Sequence, residues 1–246
     1  MSILWTMEIE KSISIVIPAY NEAERIGPTI KTINDYFSQK TRSFEILVID
    51  DGSEDNTSDV VLDSAKRIES VKLLGSSINE GKGSSVRKGM IHAAHDLILL
   101  TDADLSTPIE EFEKLVPWIQ RGYDIAIGSR GMKKSEIILR QPWHRRTMGR
   151  VFNLLVKILI LSDFSDTQCG FKLFRSEAAT RIFRLSKIDG FAFDVEVLFI
   201  AKKMGYKIKE VPVRWIDSPR SKVSALRDPF RMFLDLLKIR SFELTE

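Results

Sequence analysis

One cysteine, Cys169, stands in a chain of 246 residues. A lone thiol excludes an internal disulfide and any cysteine-based zinc site, and it favours a reducing compartment. Histidine is almost as scarce. His92, His95 and His144 are too few for a histidine-rich metal centre, so a bound metal would have to rest on carboxylates. An excess of either charge is also missing. The 37 basic and 34 acidic residues leave a formal net charge of +3, too balanced to point to nucleic acid as a partner. No stretch approaches the ~18 apolar residues that a membrane-spanning helix needs. The longest candidate, Val151 to Leu161, is interrupted by Asn153 and Lys157. Met1 to Lys11 carries Glu8 and Glu10 and no apolar run, which is not the pattern of a signal peptide. The expectation is a cytoplasmic chain that associates peripherally with the cytoplasmic face of a membrane and does not cross it.

The hydrophobic share is 43% and the charged share 29%. That is enough apolar material for a real core, and it excludes a disordered or fibrous chain. In the first half, short β-branched runs alternate with helical spacing. Ser12 to Ile17, Phe44 to Ile49, Val71 to Leu74, Leu97 to Leu100 and Tyr123 to Gly128 read as strands. Glu22 to Phe37, Thr57 to Glu69, a stretch from Gly83 to about His95 and one opening at Pro108 read as helices. Such alternation predicts an α/β fold with a mostly parallel, Rossmann-like sheet flanked by helices. The second half is less regular. It offers helices at Arg146 to Leu161 and Asp194 to Met204, and strands at Lys172 to Phe174 and Lys207 to Val213. Residues 229–240 form an amphipathic segment, with Phe230, Phe233, Leu234 and Leu237 on one face. No linker or repeat interrupts the chain, so residues 1–246 are expected to form a single domain.

Polar clusters follow three of the strands. They are Pro18-Ala-Tyr-Asn-Glu22, Asp50-Asp-Gly-Ser53 and Asp102-Ala-Asp104. Each on its own is an ordinary turn. Together they put five carboxylates at strand ends, where an open parallel sheet binds its ligands and where like charges repel unless a cation sits among them. Asp102-Ala-Asp104 is the sharpest of the three. Two carboxylates one residue apart after a buried strand suit Mg²⁺ or Mn²⁺, with phosphate and water filling the other positions. Asn79-Glu-Gly-Lys-Gly83 opens a helix after a glycine-rich turn. Lys82 there either approaches a base or phosphate or is a solvated lysine. The spacing is not that of a Walker A loop.

These motifs, with Gly128-Ser-Arg130, resemble those of the family 2 glycosyltransferases of GT-A type. Asp166-Thr-Gln-Cys-Gly-Phe-Lys-Leu-Phe174, Phe191-Ala-Phe-Asp-Val-Glu196 and Val211-Pro-Val-Arg-Trp215 sharpen the resemblance toward dolichyl-phosphate glucosyltransferases and related polyprenyl-phosphate sugar synthases. It spans about Ser12 to Lys222. The resemblance implies a GT-A fold and an inverting, metal-dependent transfer of glucose from UDP-glucose to dolichyl or another polyprenyl phosphate, a step of protein glycosylation.

By the same resemblance, Pro18, Ala19, Tyr20, Glu22, Asp50 and Asp51 hold the nucleoside, with Asp51 reading the base. Asp102 and Ala103 lie on the ribose side, Asp102 and Asp104 hold the metal, and Lys82 and Arg130 belong to the nucleotide-sugar site. Arg145, Arg146, Arg220, Ser221 and Lys222 receive the lipid phosphate. Asp194 and Arg130 are the catalytic candidates, and Asp194 is the acceptor-side carboxylate. Because Asp194 and Glu196 are two apart on a helix, they cannot share a face, so one is expected at the site and the other in a structural pair. Mannosyltransferase relatives carry a Gln two residues after the Asp-x-Asp, where Ser106 stands here. That speaks against GDP-mannose and leaves the third metal contact open. The alternatives are a polyprenyl-phosphate mannosyl- or N-acetylglucosaminyltransferase, or a non-catalytic nucleotide-sugar-binding protein. The intact Asp102/Asp104 pair speaks against the last. A homo-oligomer is left open.

Overall fold

The computed structural model describes residues 11–41, 43–139, 143–217 and 227–243, with the backbone alone at 139, 143–146 and 227–229. The chain builds β1 (Ile13–Ala19), α1 (Ala23–Phe37), β2 (Phe44–Asp51), α2 (Thr57–Ala65), β3 (Val71–Ser76), α3 (Lys82–His92) and β4 (Leu97–Leu100). A 3-10 turn over Ile109–Glu111 leads into α4 (Phe112–Gln120), followed by β5 (Ile125–Ser129) and β6 (Glu136–Leu139). The remainder is α5 (Trp143–Leu159), β7 (Lys172–Arg175), α6 (Ser176–Leu185), α7 (Phe193–Lys203), β8 (Ile208–Pro212), β9 (Arg214–Ile216) and α8 (Arg227–Arg240).

Seven strands form one sheet in the order β3-β2-β1-β4-β7-β5-β8. All neighbours are parallel except β7, which runs antiparallel to both β4 and β5. The mostly parallel sheet expected from the sequence is what the chain builds, with β7 as its antiparallel strand. The chain leaves β3 by α3 and returns on the far side of β1, so β1 lies between β2 and β4. That reversal of winding is the topological switch point, where open α/β sheets hold ligands. A parallel pair of short strands, β6 and β9, stands apart from the main sheet.

Strand periodicity places a core on each face. Ile13, Ile15 and Ile17 of β1 pack with Ile26, Ile30, Ile33 and Phe37 of α1 and with Phe112, Leu115 and Ile119 of α4. Val16, Leu47 and Ile49 face the other way, onto Val86 and Met90 of α3 and the buried sides of α5, α6, α7 and α8. Each fully buried aliphatic side chain contributes roughly 1.5–3 kcal/mol. The interior is thus apolar on both faces, and the charged groups gather at the strand ends.

Candidate active site

β1, β2, β4 and β5 all end at the same rim. The antiparallel β7 begins there, since its first residue, Lys172, lies opposite Leu100 at the end of β4. The reversed strand therefore brings the preceding segment, Asp166 to Gly170, to the rim as well. Two helix N-termini complete it. Lys82 is the first residue of α3, and Asp194 lies in the first turn of α7.

The carboxylates expected to repel already have cations among them. Lys82 Nζ donates to Asp102 Oδ1 at 2.6 Å. The Lys82 ammonium therefore rests on the metal-motif carboxylate, a position that neither sequence alternative foresaw. Burial raises the Asp102 carboxyl, but the charges of Lys82, Lys172 and Arg130 outweigh it and hold Asp102 below the usual carboxylate range. Burial lowers Lys82, and the carboxylates of Asp102, Asp194 and Asp104 outweigh that and raise it. Asp104 Oδ1 accepts the backbone N–H of Ser106 at 2.9 Å, and its Oδ2 faces Arg25 at 3.9 Å.

The neighbouring clusters carry much of the local architecture. Glu22 grips Arg25 through both oxygens, at 2.6 and 2.7 Å. Asp50 accepts the N–H of Ser53 at 2.9 Å and the hydroxyls of Ser53 and Ser58, which folds the turn after β2. Asp51 accepts the backbone N–H groups of Glu80 and Gly81, both at 3.0 Å, and so ties β2 to the glycine turn before α3. Pro18 and Ala19 close β1, and Tyr20 follows them in the chain. Ala103 accepts the Thr29 hydroxyl at 2.6 Å through its carbonyl oxygen.

Arg130, just past β5, donates Nε and Nη2 to the two oxygens of Asp166, at 2.6 and 2.9 Å. Its guanidinium also lies 5.5 Å over the Trp215 ring. Burial would raise the Asp166 carboxyl; the Arg130 charge and hydrogen bonds reverse this and bring it down to about 2. Asp166 belongs to a sequence motif but has no role there, and only its pairing in space reveals one. Lys172 is the other group that sequence reasoning misses. It is 1% exposed, joins Asp194 in a buried ion pair and donates to the Cys169 carbonyl at 2.6 Å. Burial pushes the Asp194 carboxyl up, with Lys172 and Lys82 opposing. Glu196 accepts the backbone N–H groups of Lys187 and Ile188 at 2.8 and 3.0 Å. Asp194 thus lies at the rim, and Glu196 holds the loop before α7 through backbone N–H groups. Cys169 is buried in a packed turn beside Thr107.

The donor set suits a hard divalent ion. Asp102 and Asp104 offer oxygen, and a Cβ on Gly170 would overlap the Asp102 carboxylate, so a bare backbone there gives that carboxylate its room. Among the described residues no group of three or more His, Cys, Asp or Glu could hold an ion. Phosphate and water oxygens would fill the remaining positions, the usual habit of Mg²⁺. Arg220, Ser221 and Lys222 lie outside the described residues. Arg145 and Arg146 fall within α5, where only their backbone is described.

The sequence signature of glycosyl transferase family 2 matches residues 14–183. A dolichyl-phosphate beta-glucosyltransferase from Mus musculus is 36% identical over 249 residues, covering 96% of this chain and 76% of the mouse protein. The protein of that name from Saccharomyces cerevisiae is 34% identical over 246 residues, covering 93% and 74%. Among solved structures, glucosyl-3-phosphoglycerate synthase from Mycobacterium tuberculosis, bound to Mn²⁺, UDP and glucosyl-3-phosphoglycerate, superposes with a TM-score of 0.71. It is 18% identical, and the match covers 95% of this chain and 81% of that one. The fold is therefore the GT-A fold, and the chain belongs to glycosyl transferase family 2, where it stands with the dolichyl-phosphate beta-glucosyltransferases.

Proposed function

We propose that this enzyme transfers glucose from UDP-glucose to dolichyl, or another polyprenyl, phosphate with inversion at the anomeric carbon. The observation that carries the reading is the Asp102/Asp104 pair at the switch point, joined by Lys82, in a chain whose relatives at 34–36% identity bear the glucosyltransferase name. An oxygen of the lipid phosphate attacks the anomeric carbon, and the bond from that carbon to the UDP oxygen breaks, its electron pair leaving with UDP. A phosphomonoester is largely ionised near neutral pH, its second pKa being about 6, so no base need deprotonate the nucleophile. A divalent ion, Mg²⁺ or Mn²⁺, bound at Asp102 and Asp104 would supply positive charge to the leaving diphosphate.

The remaining roles fall to the chain itself. Lys82 offers its ammonium to the diphosphate once its carboxylate partner is engaged. Arg130, held rigid by Asp166 and Trp215, sets a fixed positive charge at the rim. Asp51, beside the glycine turn, meets the base, with Pro18, Ala19, Tyr20, Glu22, Asp50 and Ala103 shaping the nucleoside end. Asp194 orients the acceptor side, where Arg145, Arg146, Arg220, Ser221 and Lys222 bring positive charge to the lipid phosphate. The acceptor is a membrane lipid, and the enzyme meets it from the membrane surface through α5 and α8.

A donor panel tests the reading. UDP-glucose, UDP-N-acetylglucosamine and GDP-mannose are each offered with a polyprenyl phosphate, and nucleotide release is followed. UDP-glucose is expected to turn over fastest, and Asp104→Ala or excess EDTA to abolish turnover while the fold persists. Faster release from GDP-mannose, or full turnover in EDTA, would overturn it.

A further inference from the structure

Lys172 is the most buried cation at the rim. It opens β7 between Leu100 of β4 and Ile127 of β5, where an aliphatic side chain would serve the sheet better. An ammonium removed from water is costly unless it is paired and hydrogen-bonded, so its presence calls for a task. Its two bonds reach different parts of the site. One holds the Asp194 carboxylate at the start of α7. The other holds the carbonyl of Cys169 at 2.6 Å. The next residue, Gly170, lies so close beneath Asp102 that a Cβ there would overlap the carboxylate. One ammonium thus sets both the Asp194 carboxylate and the backbone under Asp102. At 1% exposure it is too deep to meet a substrate.

We infer that Lys172 is a positioning residue for sugar transfer, fixing Asp194 and the Cys169–Gly170 turn without touching the substrate. The inference rests on the reading of Asp194 as the acceptor-side carboxylate. It differs from a purely structural ion pair in what it demands of the kinetics. A structural pair contributes stability and leaves the rate of the folded enzyme alone, whereas a positioning residue governs kcat.

The test uses the full chain with Mn²⁺, UDP-glucose and a polyprenyl phosphate. Lys172→Met, Asp194→Asn and the double variant are compared by thermal unfolding, UDP titration and steady-state kinetics. Lys172→Met is expected to fold and still bind UDP while kcat falls about 100-fold, the scale of a misplaced reacting group. Asp194→Asn should fall similarly. The double variant should be no slower than the slower single variant, because Lys172 acts through Asp194. A folded Lys172→Met with wild-type kcat overturns the inference, as does a double variant whose loss is the product of the two single losses. If Lys172→Met fails to fold, Lys172→Arg decides, since it keeps the buried charge but cannot keep both bonds in the same geometry. Folded and about 100-fold slow, it supports the inference; folded and fully active, it refutes it. Wild-type turnover is the control. Its absence would sink the proposed reaction and this inference together, while wild-type turnover beside an active Lys172→Met sinks the inference alone.

Discussion

At the scale of single residues, the site is a network of carboxylates matched by cations that the chain itself supplies. The Arg130–Asp166 pair shows what such matching is worth. Its carboxyl is only 6% exposed, and burial opposes ionisation, yet Arg130 brings it down to about 2, from about 3.9 for a free Asp. A carboxylate depressed in the fold contributes stability above its unfolded pKa and loses it as pH falls through the folded value. The contribution is thus complete above about pH 4 and vanishes toward pH 2, and a shift of this size corresponds to about 2–3 kcal/mol. Asp166→Asn is expected to lower the unfolding free energy by about that amount at pH 7. Denaturant titrations along a pH series should show the gap from wild type closing between about pH 4 and 2. A gap that stays constant over that window would mean that the ionised carboxylate is not what holds Arg130.

Elements position these residues through backbone contacts that leave no room for side chains. Gly81 sits at φ 108°, a conformation that other residues rarely adopt. The N–H of Gly83 donates to the Asp189 carbonyl at 2.7 Å, and a Cβ on Gly83 would run into the Ile188 carbonyl oxygen. The N-terminus of α3, and Lys82 with it, is thereby docked against the loop before α7. Gly83→Ala is expected to cost about 1–3 kcal/mol by overpacking and to weaken UDP binding by displacing Lys82. Gly149 lies on the exposed part of α5, and a Cβ there would meet nothing within 4 Å. Gly149→Ala should therefore gain about 0.5–1 kcal/mol through helix propensity. Chemical denaturation and UDP titration of the two variants check both signs. The α-helices and central strands are legible in the sequence because each buries a regular stripe, as Ile26, Ile30, Ile33 and Phe37 do on α1. Boundaries are less so: the helix expected from Pro108 begins as a 3-10 turn, and α2 stops at Ala65 rather than Glu69. Helix α6 escapes the sequence reading although Ala178, Ala179, Ile182 and Phe183 lie at helical spacing. The direction of β7 is not legible at all, since a four-residue strand carries the same alternation in either sense. Nor are the pairs Lys82–Asp102 and Arg130–Asp166, which join residues 20 and 36 apart through the topology of the sheet.

At the scale of the whole molecule, two neighbouring helices leave large apolar side chains on the surface. Helix α5 buries Phe152 and Val156 but exposes Val151, Leu154 and Ile158, the last at 69%. Helix α8 packs beside it, burying Met232, Leu236 and Ile239 and exposing Phe233, Leu234, Leu237 and Phe230, the last at 67%. Helix α5 thus has one apolar face in the core and another at the surface. Arg150, Lys157, Arg231 and Arg240 lie along the same two helices, where they can meet anionic headgroups at about 1 kcal/mol each. Neither helix can cross. The 17 residues of α5 span about 26 Å at 1.5 Å per residue, short of a hydrocarbon core of about 30 Å, and no helix among the described residues is long and apolar enough to do so. An amphipathic helix that lies in the interface inserts its apolar side chains and depends on charge, and charge attraction fades with added salt as the Debye length falls below about 10 Å. The chain is therefore expected to float with anionic vesicles at low salt and to release as salt rises. Changing Phe230 and Phe233 together to Ser should reduce flotation while leaving UDP affinity intact, because neither side chain belongs to the rim cluster. Wild-type protein that stays wholly in the aqueous fraction at low salt would refute direct docking, and delivery of the lipid would then require a separate partner.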